Sequence, residues 1–168
     1  MELQEQFSHI TTLISKAKEN AFQAVNKELV TLYWHIGEYI SQQVEKKAWG
    51  KSVVKELSLF IQESEPNITG FSSQNIWRMK QFFETYKDFT KLAPLVREIT
   101  WTNNIIILPC KSIEEREFYI KMTIREKWSK AELQRQINSS CFERVMLANT
   151  KLAPMERVFP KEVTNTFK

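Results

Sequence analysis

The amino-acid sequence predicts a mainly α-helical protein. Its 168 residues include only three glycines and five prolines, so few positions interrupt a helix. Apolar residues recur at intervals of three and four over long stretches, which is the spacing of one helix face. Two Ser-x-x-Glu segments match the capping box that begins many helices. With 42% hydrophobic and 12% aromatic residues, the chain can bury one good core without disulfides.

The first predicted element is one long helix over residues 3–44. Its apolar residues step by four and three, as in a coiled coil, and the register slips by one residue from Val25 onward. The stepping residues are Leu3, Phe7, Ile10, Ile14, Ala17, Ala21 and Ala24. A helix of this length would extend about 60 Å, more than its own core requires, so we predict a homodimer formed through residues 3–24. The alternative is a helix that breaks near residues 17–26 and packs within one chain.

Gly37 follows Tyr33 and Trp34 inside this helix. Glycine in a helix costs about 1 kcal/mol relative to alanine, so its presence predicts the close approach of another backbone. The two aromatic residues beside it are predicted to belong to the core.

A basic corner follows the long helix. Lys46, Lys47 and Lys51 flank Gly50, which is predicted to end the helix or to form a turn. These lysines are candidates for contacts with phosphate. A second helix is predicted over residues 51–61, and residues 65–70 interrupt the helical pattern before it restarts.

Residues 70–83 are the most informative part of the chain, because they predict a turn, an N-cap and a helix with two different faces. Gly70 allows a left-handed turn, and Ser72 or Ser73 can cap the helix. At about 100° per residue the apolar face holds Ile76, Met79, Phe83 and Tyr86, and the polar face holds Gln74, Arg78, Gln81 and Thr85. Helix, break and helix are the outline of a helix-turn-helix motif, here with a looser turn than in its simplest members.

The polar face of this helix is predicted to bind double-stranded DNA. Arginine pairs bidentately with guanine, and asparagine or glutamine pairs with adenine, in the major groove. The predicted contacts are Gln74, Asn75 and Arg78 to bases, Lys46, Lys47, Lys51 and Lys80 to phosphates, and Ser73 and Gln81 beside them. The alternative is a plain helical hairpin whose second helix only forms core.

Residues 99–108 are predicted to form a short buried helix, with a strand or wing as the alternative, since residues 105–107 are all β-branched. Capping boxes from Ser112 and from Ser129 predict helices that begin at about residues 113 and 130. Leu133, Ile137 and Cys141 form the apolar stripe of the last predicted helix. Little periodicity follows, which predicts a helical domain over residues 1–146 and a linker over residues 147–168.

Composition and motifs favour a binding function over catalysis. The net charge of +4 and the pI near 9.0 favour anionic partners. Cys110 and Cys141 have no CxxC spacing, and His9 and His35 lie far apart without other metal ligands. Three glycines cannot supply a phosphate-binding loop. We therefore expect no metal, cofactor or catalytic site. No membrane span or signal segment is evident, and free thiols fit a reducing compartment, so we expect a cytoplasmic protein.

Several patches of this sequence resemble the N-terminal domain of the YhcG family of bacterial proteins, over roughly residues 10–145. The patches are residues 32–40, residues 70–82, Trp101, residues 116–119 and residues 128–137. The resemblance implies a helix-turn-helix-like, DNA-binding targeting module, followed in that family by a nuclease domain of the PD-(D/E)XK type. Such a nuclease needs an Asp and an acidic-x-Lys pair for its metal, which residues 1–168 do not provide. The resemblance therefore implies a non-catalytic segment, with residues 147–168 leading toward an absent C-terminal nuclease domain.

The second functional hypothesis is a protein-interaction or oligomerisation module. It rests on the apolar stripe of the long N-terminal helix, which would assemble subunits or recruit a partner while the helix that follows Ser72 serves only as core.

Overall fold

The computed structural model describes residues 2–156, with side chains for residues 2–150. These residues form α-helices and one 3-10 turn, and no strand occurs among them. The elements are α1 (Glu2–Glu45), α2 (Lys51–Ser64), α3 (Ser73–Tyr86), the 3-10 turn Leu95–Arg97, α4 (Trp101–Ile107), α5 (Ile113–Glu126), α6 (Lys130–Asn138) and α7 (Cys141–Glu156). The predicted all-α class is confirmed. The chain divides into two compact units, Met1–Pro109 and Cys110–Lys168.

Helix α1 is unbroken over its 44 residues, so the prediction of one long helix is confirmed and the alternative of a break near residues 17–26 is wrong. Its buried residues begin at Val30 and continue to Ser41. Before Val30 nearly every side chain is exposed, and Asn26 alone is partly buried because its amide donates to the carbonyl of Ile99 at 3.0 Å.

Gly37 is the point at which α3 approaches α1 most closely. A Cβ atom at Gly37 would overlap the carbonyl oxygen of Met79 and lie 2.6 Å from its carbonyl carbon. The neighbouring aromatic side chains close the core on both sides: the ring of Tyr33 meets Trp101 edge-on at 4.8 Å, and that of Trp34 meets Phe82 at 5.7 Å. The prediction of a close backbone approach at Gly37 is confirmed, and Tyr33 and Trp34 are core residues.

The end of α1 differs from the sequence prediction. The left-handed residue there is Lys47, with φ of 56°, whereas Gly50 has extended backbone angles and serves as the N-cap of α2. The N–H of Lys47 donates to the carbonyl of Val44 at 2.9 Å, and the N–H of Ala48 donates to that of Gln43 at 3.0 Å. These bonds satisfy carbonyls at the end of the helix without a glycine.

Residues 101–107 are helical, which confirms the predicted short helix and excludes the strand or wing near residues 99–108. The hydroxyl of Thr100 caps α4 by accepting from the N–H of Asn103. The buried amide of Asn104 donates to the carbonyl of Val96 at 2.8 Å and so ties the helix to the 3-10 turn. Capping and burial therefore outweigh the strand preference of three consecutive isoleucines.

The second unit contains α5, α6 and α7. Ser112 and Ser129 cap α5 and α6 as predicted, each hydroxyl accepting a backbone N–H three residues later. The stripe that was predicted to run to Cys141 in one helix is instead divided, because Ser140 is left-handed with φ of 57° and Cys141 begins α7. Helix α7 continues to Glu156, so the segment predicted as a linker starts as helix, while residues 157–168 lie outside the described residues. The domain boundary at residue 146 stays a prediction.

Candidate nucleic-acid interface

Helix α3 begins as the sequence predicts. Gly70 has φ of 91°, and the hydroxyl of Ser72 accepts from the N–H of Asn75 at 3.2 Å. The buried face of the helix holds Ile76, Met79, Phe82 and Tyr86, each with no exposed surface, and Phe83 is half-buried. Phe82 was not among the anchors expected from periodicity, because it lies at the edge of the apolar face. This packing fixes which side of α3 meets solvent.

The solvent side of α3 carries a polar row formed by Gln74, Arg78 and Gln81. The two glutamines are exposed, and Arg78 is half-buried. Within the described part of the chain, no hydrogen bond or ion pair engages the side chain of any of the three. The row therefore presents amide and guanidinium groups whose hydrogen-bonding capacity is open to a partner.

Asn75 belongs to the scaffold of the turn. Its Nδ2 donates to the carbonyl of Gly70, and its Oδ1 accepts from the indole N–H of Trp101 at 3.0 Å. Both ends of the amide are thus used inside the chain, where they join α3, the turn before it and α4. Ser73, the first residue of α3, is half-buried beside this junction.

Lys80 lies on a different side of α3 from the polar row. Its ammonium group pairs with Glu84 at 2.9 Å and lies 5.9 Å from the centre of the Trp77 ring. Glu84 also accepts from the hydroxyl of Ser41 at 2.8 Å. Burial would raise the pKa of Glu84, but the hydrogen bonds from Lys80 and Ser41 outweigh it and lower that pKa. Lys80 is consequently bound to a carboxylate that stays charged.

The basic corner after α1 lies beside the same apolar cluster as the start of α3. The side chains of Trp49 and Trp77 both pack against a cluster formed by Ile40, Val54 and Ile76. Lys46, Lys47 and Lys51 are exposed. Among the described residues none of these three ammonium groups has a carboxylate at ion-pair distance. The basic corner and α3 thus share one apolar cluster through Trp49 and Trp77.

Two polar side chains outside the polar row and the basic corner contact groups within the chain. His35 is exposed and lies 3.7 Å from Glu38 on α1. A carboxylate oxygen of Glu115, in the first turn of α5, accepts from the backbone N–H of Lys111 at 2.9 Å. In the part of the chain that the structure describes, no three His, Cys, Asp or Glu residues are grouped as metal ligands would be. No helix there has the length and hydrophobicity needed to cross a membrane.

The residues described above lie in an all-α domain, and comparison with known sequences identifies its family. The DUF1016 N-terminal domain family matches residues 9–144, so the chain belongs to that family. The predicted relationship to the YhcG N-terminal domain is likewise confirmed by a curated relative, "Putative nuclease YhcG" of Escherichia coli (strain K12). The two are 24% identical over 188 residues, an alignment that covers 91% of this chain and 49% of the relative. The chain thus spans about half the length of that relative. No solved structure matches it.

Proposed function

We propose that this chain is a DNA-binding, helix-turn-helix-like module that directs a bacterial nuclease of the PD-(D/E)XK type to its substrate. The observation that carries the proposal is the division of α3 into a fully buried apolar face and a polar row without internal partners. A helix held in this way can enter the major groove without disturbing the core behind it.

The polar row supplies the chemistry that reads base edges. Arg78 would donate bidentately to guanine, and the amides of Gln74 and Gln81 would pair with adenine. Asn75 contributes by holding the turn before α3, since both ends of its amide are already bonded.

The corner lysines would supply affinity through the phosphate backbone. Lys46, Lys47 and Lys51 are exposed and unpaired within the described residues, so no internal ion pair has to break before they bind phosphate. Lys80 would contribute less, because it must first leave Glu84.

The nuclease part of the proposal rests on the family and on the relative's name. Catalysis is assigned to a separate domain, and this module would supply DNA contacts to it. DNA binding by this module depends on α3 and is tested by variants of that helix.

The test is binding of a fluorescein-labelled duplex selected for tight binding from a random-sequence library, followed by anisotropy at 50 mM salt. Replacing Gln74 and Arg78 together by alanine should weaken binding to this selected duplex at least about tenfold, since each bidentate base contact contributes about 1–3 kcal/mol of discrimination. The matched control is Arg125→Ala, which removes one exposed arginine of the second unit. Equal affinities for the double variant and the control would contradict the proposal.

A second candidate function is assembly with another protein through α1. The specific observation in its favour is the exposed apolar surface before Val30, where Phe7 and Phe22 are 62% and 65% exposed. Under this reading the Gln74 and Arg78 variant would leave partner binding unchanged, and the chain would bind DNA no better than a protein of equal charge.

A further inference from the structure

Helix α1 carries an apolar stripe that faces away from the core of its own chain. Residues Leu3, Phe7, Ile10 and Ile14 are all at least half exposed, and the stripe continues through Ala17 and Ala21. At about 100° per residue the stripe lies on roughly the opposite side of α1 from Val30, Tyr33 and the other buried residues. It is therefore a separate surface and no extension of the core face.

The side chains of this α1 stripe change size along the helix. Over residues 3–21 the stripe carries leucine, phenylalanine and isoleucine first and alanine afterwards, before large residues return at Val25 and Leu32. A parallel pair in register would set phenylalanine against phenylalanine at one end and alanine against alanine at the other. One separation between helix axes cannot suit both ends, because close packing requires large residues to face small ones.

An antiparallel pair meets that requirement. With Ile10 facing Ile14 of the second copy, Phe7 faces Ala17 and Leu3 faces Ala21, and the heptad alternation of the stripe is kept. The overlap covers residues 3–21 of each copy, about 28 Å of helix. From this size complementarity we infer that two copies of this chain associate through antiparallel pairing of their α1 stripes.

Disulfide trapping tests the orientation in the full chain, with Cys110 and Cys141 replaced by alanine. One copy carries Phe7→Cys, the other carries Ala17→Cys and a size tag, and the two are mixed at tens of micromolar without DNA and oxidised. In the antiparallel pair identical positions 7 lie about 15 Å apart along the axis, too far for a disulfide, whereas positions 7 and 17 face each other. The expected product is the mixed dimer.

The control pair is Ser8→Cys with Lys16→Cys, which lie at matching levels on the outer side of α1. It should cross-link at least tenfold less than the 7 and 17 pair. Dimers of identical copies, equal trapping of the control pair, or no trapped dimer would each overturn the inference.

Sedimentation provides a second measurement that needs no cysteine. The unmodified chain should be dimeric at tens of micromolar, and Ile10→Glu with Ile14→Glu should halve its mass while leaving its circular dichroism unchanged, because both positions are exposed. Ser8→Glu with Thr12→Glu, on the outer side, should remain dimeric. A monomeric unmodified chain would overturn the inference without bearing on DNA binding by α3.

Discussion

Gly37 sets the distance between α1 and α3, because the carbonyl of Met79 occupies the space that a larger side chain would need. The same contact fixes how deeply α3 is buried, and therefore how far its polar row stands out from the protein surface. A methyl group at this position has to separate two backbones, which cannot move like the end of a flexible side chain.

We expect Gly37→Ala to lower the free energy of unfolding by about 2 kcal/mol, since overpacking costs more than the gain in helix propensity returns. Urea denaturation followed by circular dichroism measures it. The control is Gly50→Ala, because a Cβ there meets no atom within 4 Å; it should change stability by less than about 1 kcal/mol. Equal effects at both positions would contradict the packing at Gly37.

The two thiols should differ in reactivity. Burial, reinforced by Glu115, raises the pKa of Cys110 to about 11, so at pH 8 only about one thiol in a thousand is ionised. Cys141 is half-buried at the start of α7. Iodoacetamide at pH 8 should therefore label Cys141 first and Cys110 only after unfolding in urea, as measured by mass spectrometry. Rapid labelling of Cys110 in the folded chain would contradict its burial.

The sequence predicted the conformation of those residues that depend only on their immediate neighbours in the chain. Gly70 and Ser72 were predicted because turn and cap chemistry acts within a few residues. The structural use of Asn75 could not be predicted, because its partner Trp101 lies 26 residues away and is brought near only by the fold.

Helices α1 and α2 are joined by the basic corner, which carries a strained residue. Lys47 is left-handed, and this conformation costs a residue with a Cβ about 1 kcal/mol. Glycine would be more stable at this position, so the proposed contact between Lys47 and phosphate gives a reason for the lysine.

Lys47→Gly should therefore raise the free energy of unfolding by about 1 kcal/mol while weakening DNA binding. The control is Lys46→Gly, which removes the same charge where φ is not positive and should lower stability. The two stability changes are measured by urea denaturation, and opposite signs are expected if Lys47 is left-handed. Matching signs would contradict that conformation.

Most elements were predicted by periodicity and caps, and the exceptions have specific causes. The break between α6 and α7 was missed because it contains Ser139 and Ser140 instead of glycine or proline, and no local signal marks a left-handed serine. For residues 99–108 the sequence pattern left a strand open as the alternative. The helix is stabilised there by the cap at Thr100 and by the buried amide of Asn104.

Within the whole molecule, α1 has two parts with different surroundings. Its C-terminal third, from Val30, holds α3 through the contact at Gly37, and its first half exposes the apolar stripe. A two-fold pair of chains would present two copies of α3, as paired half-sites on DNA require. Pairing through residues 3–24 and DNA contact by the polar row were both predicted from the sequence, and both stay predictions until sedimentation and DNA binding are measured.

Whether this chain binds DNA is decided by the salt dependence of duplex binding by the unmodified chain. If Lys46, Lys47 and Lys51 of one copy each neutralise a phosphate, affinity should fall at least about 40-fold between 50 mM and 200 mM salt, and more if Lys80 leaves Glu84 to bind a fourth. Replacing the three corner lysines by glutamine should flatten that dependence. Binding at 50 mM that is no stronger than that of an unrelated protein of equal net charge would contradict the account.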